Sequence, residues 1–567
     1  MNKRMNLVLI ITIVASSTLI SCGEEQDSSR PSYENENRIG NYIDSDNYRN
    51  YYHIFVPTYA DSNNDGIGDL KGIIDKIDYL RMKDKPHAKG SLGVNGIFLS
   101  PINKGTSYHK YDIENYTSTD PQFGTLETFD TLIKACHERG IKVIMDLVLN
   151  HSSNLNPLFI KARRAVIDDV GDESGRPTSE CVTSCPEVDY FRFIRSNKGF
   201  NDYSNRTFLL NSEWKYEGFD STMPDWNLDS PAVRNLHSSY IKFWLDRGVD
   251  GFRLDAVQSY YGEVNISLNK NYEYINFINS EVKKIKSDAY IIAEGPWSIS
   301  GASSYMQNTN IDSYFNFDYS YMNYASSNNI FFNSLRNDNM SLSTLKTFFE
   351  YEGKESEINS THIDANFASN HDIGRANNQF ILKSKCYLNE LKFYYGLMNM
   401  LKGNYFNYYG DEIGLTGTKV DSDDMPCRSP FRWGDNYDTS PLESGLNEKT
   451  IQYLDPLDKQ IEDKNSLFNY MASIYKIKDY HPEIQRGNST IVKEIKDKNL
   501  VLIKKTYEKS SKYLLINYGI DLKDSSYNEL EINGKIENCL SSNGEYSEVK
   551  DGVISIPSMS ITIINER

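Results

Sequence analysis

The sequence is poor in cysteine for its length. Seven cysteines occur in 567 residues, and the six that follow Cys22 are irregularly spaced. This pattern excludes a small domain built on a framework of disulfides. Cys181 and Cys185 are near enough in sequence for a local disulfide in an exported protein, or for half of a metal site, but no second cysteine pair accompanies them.

Excess positive charge and long apolar segments are missing as well. The chain has 61 lysines and arginines against 78 aspartates and glutamates, a formal net charge of −17. A protein that binds nucleic acid needs a basic face, so we expect no nucleic acid partner. After the N-terminal apolar run, no segment is long and apolar enough to predict a membrane span.

The N-terminal residues have the pattern of a sorting signal followed by a tether. A basic start, MNKRMN, precedes the run LVLIITIVASSTLI, which is shorter than a membrane span. LISC, residues 19–22, resembles a bacterial lipobox, and it predicts a lipoprotein signal peptide over 1–21 and a lipid on Cys22. The alternative is an ordinary signal peptide with an incidental cysteine. Polar residues 22–48 predict a flexible tether, so we expect a protein held at the bacterial cell envelope by lipid, on its periplasmic or surface face.

From residue 50 onward, strand patterns alternate with helical ones. Helical stretches such as 125–140, 232–248 and 386–403 separate most of eight strand-like segments. Those segments are 51–59, 94–100, 141–151, 248–257, 288–296, 311–319, 362–372 and 404–414. Eight parallel strands with helical crossovers predict an α/β fold, a (β/α)8 TIM barrel formed by residues 49–151 and 225–485.

Two regions depart from this alternation. Residues 152–224 are long, polar and irregular, and they predict a domain inserted after the third strand. Residues 486–567 alternate in strand fashion between turn signals, which predicts a small C-terminal antiparallel β domain of sandwich-like form.

Polar and ionisable residues cluster where the predicted strands end, which is the active-site face of such a barrel. The clusters are His109, Tyr111 and Asp112 after the second strand, Asp146, Asn150 and His151 at the third, Arg253 and Asp255 at the fourth, Glu294 at the fifth, and Asn370, His371 and Asp372 at the seventh. Clustered ionisable groups of this kind indicate a functional site more than a structural role. The 41 tyrosines suit sugar binding in part, although most must be ordinary core and surface residues.

The strand GFRLDAVQS, residues 251–259, carries two charges on one face, because Arg253 and Asp255 are two residues apart. Buried charges are unfavourable unless paired. We expect Arg253 to lower the pKa of Asp255 and so keep it ionised as a nucleophile. Glu294, in an apolar setting with Pro296 and Trp297, is expected to stay protonated as a general acid. This is the layout of a retaining glycosidase, and the alternative for Arg253 and Asp255 is a structural ion pair.

Several of these segments resemble the conserved regions of the α-amylase family of glycoside hydrolases. They are GFRLDAV, IIAEGPW, DLVLNH and FASNHD, with MPDWN (223–227) and YYGDEIG (408–414) in addition. The resemblance extends in order from about residue 50 to the end of the chain. It implies hydrolysis of α-glucosidic bonds with retention of configuration.

The resemblance also implies roles for individual residues. Asp255 would be the nucleophile, Glu294 the general acid and then the base, and Asp372 the residue that binds sugar hydroxyls and stabilises the transition state. The implied substrate-binding residues are Tyr111, which would stack under the sugar ring, Arg253, which would orient the nucleophile, His151 and His371, and also Asp112 and Trp297.

The loop DSNNDGIGDL, residues 61–70, places oxygen donors at alternate positions. The donors are Asp61, Asn63, Asp65, the backbone carbonyl of Ile67, and Asp69. Such hard donors suit Ca²⁺, although Gly72 stands where an EF-hand needs a bidentate glutamate. Many members of the resembled family bind Ca²⁺ in this loop, which implies a structural calcium here. The alternative is a plain turn.

Four positions bear on the type of bond cleaved and on the subsites for the leaving side of the chain. By resemblance, Ala256 after the nucleophile and Met223 in the insert motif are typical of α-1,4 specificity, since α-1,6 enzymes often have Val and Gln there. Gln258 and Ser259 replace a basic residue and a histidine that contact the leaving side of the chain in many α-amylases. The leading hypothesis is an α-amylase-like enzyme acting on starch, glycogen or maltooligosaccharides. The alternatives are an oligo-1,6-glucosidase or a transglycosylase of the same family, and, less favoured because all three acids are present, a non-catalytic glucan-binding relative.

Overall fold

The computed structural model describes most of the chain beyond the N-terminal region. The described residues are 43–200, 206–262, 268–296, 298–320, 334, 340–350, 352–381, 387–419, 423–441, 452–519, 528–531, 534–551 and 553–566. The predicted signal peptide, Cys22, most of the predicted tether and Trp297 lie outside them.

Eight parallel strands close into a barrel. They are β1 (Asn50–Ile54), β2 (Gly96–Leu99), β3 (Lys142–Leu147), β4 (Gly251–Leu254), β5 (Tyr290–Ala293), β6 (Ser313–Asn316), β7 (Ala365–Phe367) and β8 (Asn404–Tyr408). Each strand pairs with its neighbours in chain order, and β8 pairs with β1 to complete the ring. The predicted (β/α)8 barrel is therefore confirmed, with strands shorter than the predicted segments.

Helices surround the barrel and separate its strands. The α-helices outside the inserted region are Leu70–Asp75, Ile77–Leu80, Leu126–His137, Pro231–Asp246, Leu268–Ile285, Ile299–Asn308, Leu342–Glu350, Lys354–Ile358, Asn377–Ile381, Tyr387–Met400, Leu457–Glu462, Leu467–Tyr480 and Pro482–Arg486. Short 3-10 helices include Val56–Thr58, Val257–Ser259, Phe317–Tyr319, Asp411–Ile413 and Met425–Arg428. Leu126–His137 shows how local sequence sets such a helix, since Thr125 caps it by accepting the N–H of Thr128.

The barrel interior is filled by aromatic and branched side chains. They are Tyr51, Phe98, Ile144, Tyr290, Ile292, Phe317, Ile363, Ala365, Phe367, Ile373 and Phe406. Gly251 allows β4 to lie close to β5, because a Cβ at this position would lie 1.9 Å from the carbonyl oxygen of Tyr290. The close approach holds β4 against β5, the two strands that Asp255 and Glu294 follow.

Two smaller structures extend the barrel loops. After β2, a hairpin of Asn103–Gly105 and Ile113–Thr119 carries residues 106–112, which we call the 106–112 loop. After β3, the chain forms helices Pro157–Ile167 and Ser179–Ser184, the 3-10 helix Pro186–Tyr190, and an antiparallel sheet of Phe193–Arg195, Arg206–Leu209, Trp214–Asp220 and Met223–Pro224. In this region Cys181 and Cys185 are buried free thiols.

The C-terminal residues form antiparallel sheets, as predicted. The five-stranded sheet contains Asn488–Ile495, Leu500–Tyr507, Ser510–Asn517, Gly534–Ser541 and Ser560–Glu566, and the three-stranded sheet contains Asn528–Glu531, Glu548–Lys550 and Val553–Ile556. The 3-10 helix Lys496–Lys498 joins the first two strands. Among the described helices of the whole chain, none has the length and apolar character needed to cross a membrane.

Candidate active site

Buried ionisable groups meet at the carboxyl ends of β3, β4 and β5. Arg253 on β4 is the register partner of Asp146 on β3. Asp255 comes directly after β4, and Glu294 comes directly after β5. Because the strands are parallel and in register, these four residues from three strands reach one end of the barrel.

Arg253 binds all three of these carboxylates. One guanidinium nitrogen, Nη1, lies 2.5 Å from Asp146 Oδ1 and 2.6 Å from Asp255 Oδ1. The other, Nη2, lies 2.8 Å from Glu294 Oε2. Burial of Arg253 is therefore compensated by several ion pairs, and the guanidinium fixes the positions of Asp255 and Glu294 relative to each other.

Burial changes the acidity of these carboxyl groups. It raises the pKa of Glu294, while Arg253 acts in the opposite direction, and the raised pKa favours the protonated form. Burial also raises the pKa of Asp146, to about 8. The pKa of Asp255 is raised too, because the effect of burial exceeds the lowering by Arg253. The expected net lowering of the Asp255 pKa is therefore wrong, because burial outweighs the contact with Arg253 and the negative charge of Asp372 adds to the effect of burial.

Asp372 faces this group from the loop after β7. Its carboxylate lies 3.0 Å from His371 Nε2 and 3.1 Å from Nη2 of Arg428. Burial alone would raise the pKa of Asp372, but the charges of His371, Arg428 and Arg253 hold it well below the usual range. Asp372 is thus held ionised beside the acids whose pKa values are raised.

Tyr111 links the two halves of the site. Its hydroxyl donates to Asp146 Oδ2 at 2.8 Å and lies 2.7 Å from His371 Nε2. The Tyr111 and His371 rings are stacked, with centroids 5.6 Å apart and an interplanar angle of 7°. Tyr111 therefore contributes its hydroxyl to the polar network as well as a ring to the cleft.

His151 lies at the border between the barrel and the inserted region. Its Nδ1 is 3.3 Å from the Asn150 amide nitrogen, whereas its Nε2 is buried without a hydrogen-bond partner. Burial lowers the pKa of His151 to about 4, so the ring is neutral at pH 7. Phe219 of the inserted region stacks on it at 4.8 Å and is 39% exposed. A neutral imidazole with an unused nitrogen can serve a bound hydroxyl group.

Asp112 has a different environment from the other predicted substrate-binding residues. Its carboxylate accepts the backbone N–H groups of Thr106 and Ser107, at 3.1 Å and 3.0 Å. These bonds close the 106–112 loop on itself. The structure therefore places Asp112 beside the site but uses its oxygens within the loop.

The residue after Asp255 has an unusual backbone. Ala256 adopts the left-handed conformation, with φ of 44°, and its N–H donates to Glu294 Oε2 at 3.2 Å. Gln258 and Ser259 follow in the 3-10 helix Val257–Ser259. The turn thus joins the segment after β4 to the carboxyl group after β5.

Asp146 and Arg428 were given no role by sequence reasoning. The sequence placed Asp146 in the cluster at the third strand, and its position on the strand beside β4 could have indicated its contact with Arg253. Arg428 lies in the 3-10 helix Met425–Arg428, 56 residues after Asp372, and also donates from Nε to the His371 carbonyl at 2.8 Å. No local pattern around Arg428 indicates that contact.

The predicted calcium loop is a series of tight turns. Asp61 Oδ1 accepts the N–H groups of Asn63 and Asn64, and Oδ2 accepts that of Gly66 at 2.7 Å. Gly66 has φ of 90°, which is the sharp turn needed at the sixth position of such loops. Asp69 caps the next helix by accepting the N–H of Gly72. Within the described residues, no three acidic, histidine or cysteine side chains are grouped to hold a metal ion. The hard oxygen donors suit Ca²⁺ in chemistry, and calcium binding stays a prediction.

Known proteins share this arrangement over most of the chain. Residues 53–487 match the family model described as alpha amylase, catalytic domain. Alpha-amylase 3 of Dictyoglomus thermophilum is 30% identical over 88% of this chain and 88% of its own length. An oligo-1,6-glucosidase of Parageobacillus thermoglucosidasius is 25% identical, covering 78% of this chain and 85% of its own. The structure of Eubacterium rectale Amy13B matches with a TM-score of 0.79 and 33% identity, over 93% of this chain and 97% of that one.

The family match covers the barrel except for the first three residues of β1, and it covers all five strand-end clusters described above. The geometry and the relatives agree on an enzyme that hydrolyses O-glycosyl bonds. The chain therefore belongs to the α-amylase family of glycoside hydrolases.

Proposed function

We propose that this protein is a retaining, α-amylase-like hydrolase of α-1,4-glucosidic bonds in starch, glycogen or maltooligosaccharides. The observation that carries the proposal is that Asp255 and Glu294 bind opposite nitrogens of the Arg253 guanidinium. This arrangement suits the short spacing of about 5–5.5 Å between the two carboxyl groups of retaining enzymes, rather than the longer spacing of inverting ones.

In the proposed reaction, Asp255 attacks the anomeric carbon while Glu294 gives its proton to the glycosidic oxygen. The bond to the leaving sugar breaks, and a glycosyl ester forms on Asp255. Glu294, now ionised, takes a proton from water, which attacks the same carbon and frees Asp255. The raised pKa of Glu294 supports its role as the acid in the first step.

Other residues would hold the sugar during these steps. Ionised Asp372 would accept hydrogen bonds from sugar hydroxyls and strengthen them as positive charge develops on the ring. His151 would offer its unused Nε2, His371 would hold Asp372, and the Tyr111 ring would support the apolar sugar face. Trp297 lies outside the described residues and keeps its predicted binding role.

The choice of α-1,4 bonds depends on Ala256 and Met223 and on the relative named alpha-amylase. A second candidate is α-1,6 hydrolysis, favoured by the relative named oligo-1,6-glucosidase and by the absence of a basic residue and histidine at Gln258 and Ser259. Transglycosylation is a third outcome of the same chemistry, with a sugar in place of water.

The test is to incubate the full chain with maltoheptaose, soluble starch and isomaltose, with the Asp255→Asn variant as a control. Short maltooligosaccharides from starch, intact isomaltose and no products from the variant are the expected results. Glucose from isomaltose would transfer the protein to the α-1,6 group. Products longer than the added maltoheptaose would show transglycosylation instead.

We further propose that residues 61–69 bind one structural Ca²⁺ through the donors Asp61, Asn63, Asp65, the Ile67 carbonyl and Asp69. With Ca²⁺ at 100 to 1,000 times its Kd, binding should stabilise the fold by about 3–4 kcal/mol. Unfolding temperatures would be compared in Ca²⁺ and in chelator for the wild type, Asp65→Asn and the exposed control Asp288→Asn. Equal unfolding temperatures for the wild type in both buffers would contradict calcium binding.

The lipid anchor on Cys22 and the resulting envelope location are also proposals. The support for them is the LISC motif at residues 19–22. The described end of the predicted tether is held by ion pairs, because Asp46 pairs with Arg486 at 2.7 Å and Asp44 pairs with Arg49 at 2.9 Å. These contacts lie at the amino end of β1. Mass spectrometry of the protein made in a bacterium should detect acylated Cys22 and no acylation of Cys22→Ala. An unmodified wild-type chain would contradict the anchor.

A further inference from the structure

A buried lysine with a strained backbone separates two residues of the active site. Lys110 has φ of 63°, in the left-handed region that favours glycine, and its side chain is only 3% exposed. It stands between His109 and Tyr111 in the 106–112 loop. A non-glycine residue with this backbone persists only where the surroundings hold it, and such residues are concentrated at functional sites.

The Lys110 ammonium group supplies the contacts that hold it. Its Nζ lies 2.9 Å from Asp120 Oδ2, 2.9 Å from the Gly105 carbonyl and 3.0 Å from Gln122 Oε1. The same Nζ lies 5.6 Å from the centre of the Phe123 ring. Asp120 is itself 4% exposed and accepts the N–H of Gly105. Lys110 thereby connects the tip of the loop to the chain that follows its hairpin.

The opposite side of the loop is held by a charge of the other sign. Asp112 accepts the N–H groups of Thr106 and Ser107. Between these two anchors, the Tyr111 N–H donates to His109 Nδ1 at 3.1 Å, and the Tyr111 hydroxyl reaches Asp146. Any rotation of the loop at Lys110 would move the Tyr111 hydroxyl away from the carboxylate that Arg253 also binds.

We propose that Lys110 is a positioning residue that holds the Tyr111 hydroxyl on Asp146, and the His109 ring that accepts the Tyr111 N–H, through its buried ion pair with Asp120. The inference depends on the glycosidase activity of the family but not on the choice between α-1,4 and α-1,6 bonds. Lys110 acts through Tyr111 and does not contact the reacting atoms. A displacement of about 1 Å at an active site lowers turnover by roughly 100-fold, which sets the size of the expected effect.

The main test uses the double variant Lys110→Gly/Asp120→Asn in the full chain. Glycine relieves the backbone strain, and asparagine avoids leaving a buried carboxylate without its cation, so the variant should fold. We expect kcat on maltoheptaose to fall by about 10- to 100-fold while KM changes less than threefold. Lys110→Arg, which keeps the charge, should retain more of the activity than the double variant.

A double-mutant cycle with Tyr111→Phe separates positioning from a general loss of stability. If Lys110 acts through Tyr111, adding the double variant to Tyr111→Phe should lower kcat by less than threefold more. A full 10- to 100-fold further loss, or a double variant with kcat within twofold of the wild type, would overturn the proposal.

A second measurement does not depend on turnover. Burial holds the pKa of His109 at about 4, against an ordinary value of 6.5. An NMR titration of the histidine rings, assigned with His109→Gln, should show this pKa rising in the double variant as the loop opens to water. An unchanged His109 pKa would overturn the proposal. A wild type inactive on maltoheptaose, starch and isomaltose would instead count against the proposed function, and the titration would still decide the role of Lys110.

Discussion

The two ends of the barrel both bury carboxyl groups, but they surround them differently. At the carboxyl end, Asp146, Asp255 and Glu294 share Arg253. At the amino end, Asp364 precedes β7, and Glu355 lies in the helix Lys354–Ile358. Burial raises the pKa of Glu355 well above its ordinary value and that of Asp364 to about 7. Raised pKa values therefore occur at both ends of the molecule.

The difference lies in what the acids can reach. The side chains of Glu294 and Asp372 are 17% and 27% exposed, so a substrate could reach them while each stays in contact with an arginine. Glu355 and Asp364 are 0% and 3% exposed. A perturbed acid is thus a sign of function only where it is also accessible and shares a cation with a second acid. Burial of Glu355 and Asp364 is therefore unfavourable for stability, and it places neither acid where a substrate could use it.

The largest expected effect comes from replacing one buried acid at each end of the barrel and comparing the losses of activity. Glu294→Gln removes the proton donor and should lower kcat on maltoheptaose by about 10²- to 10⁴-fold. Glu355→Gln is the matched control and should leave kcat within about twofold, because no substrate reaches it. Steady-state kinetics and unfolding temperatures of both variants check this. Equal losses of activity would show that accessibility does not separate the two ends.

The activities of the wild type and of Glu294→Gln should depend on pH in different ways. Glu294 must be protonated to act as an acid, so kcat/KM should decline as pH rises through its raised pKa. Exogenous azide can accept the glycosyl group without a base and should restore turnover of an activated glycoside to Glu294→Gln. The alkaline decline should then be absent, as measured by pH profiles of the wild type and variant. A decline that persists in the variant would assign it to another group.

Stability at the amino end should also depend on pH. The raised pKa of Glu355 means that its contribution is fully present below its ordinary pKa of 4.5 and is lost as pH rises through the folded-state pKa. Glutamine cannot ionise, so Glu355→Gln should not lose this contribution as pH rises. Between pH 5 and pH 8, the difference in unfolding free energy between variant and wild type should shift in favour of the variant by about 1–3 kcal/mol. Thermal unfolding at both pH values measures this. A difference between variant and wild type that does not change with pH would contradict the raised pKa.

Much of the fold could be predicted from local patterns. Barrel strands such as Gly96–Leu99 and Tyr290–Ala293 are buried apolar runs, and the acids Asp255 and Glu294 come directly after β4 and β5. The strand limits were predicted too long, because DLVLNH and similar segments continue as apolar loops beyond the last ladder bond. The approximate ends of the strands and the acids that follow them can therefore be predicted from the sequence.

Contacts between distant segments could not be predicted in this way. Arg428 reaches Asp372 across 56 residues, and Lys110 occupies a left-handed position that its neighbours in sequence do not indicate. The predicted direction of the Asp255 pKa shift was wrong for a related reason, since that shift depends on how deeply the folded chain buries Asp255 and on the nearby charge of Asp372. The number of partners of a buried charge is a property of the packed structure.

The smallest expected effect is that of replacing Arg428, a residue that no sequence pattern indicated. Arg428 is one of the charges that hold the pKa of Asp372 below its usual range, and Asp372 acts in its ionised form. Activity requires ionised Asp255 as well as ionised Asp372, so Arg428→Gln should raise the pKa of Asp372 and move the acid limb of kcat to higher pH once that pKa approaches the raised pKa of Asp255. Turnover at pH 7 should fall by roughly tenfold or less, because Asp372 stays ionised there.

The matched control for Arg428 lies at the other end of the barrel. Arg486 also pairs with an aspartate, Asp46, but at the amino end. Arg486→Gln should therefore leave the acid limb of kcat where it is in the wild type, even if the protein unfolds at a lower temperature. If both variants moved the acid limb equally, the shift would reflect the net charge of the protein. If only Arg428→Gln moved it, the effect would come from the contact with Asp372.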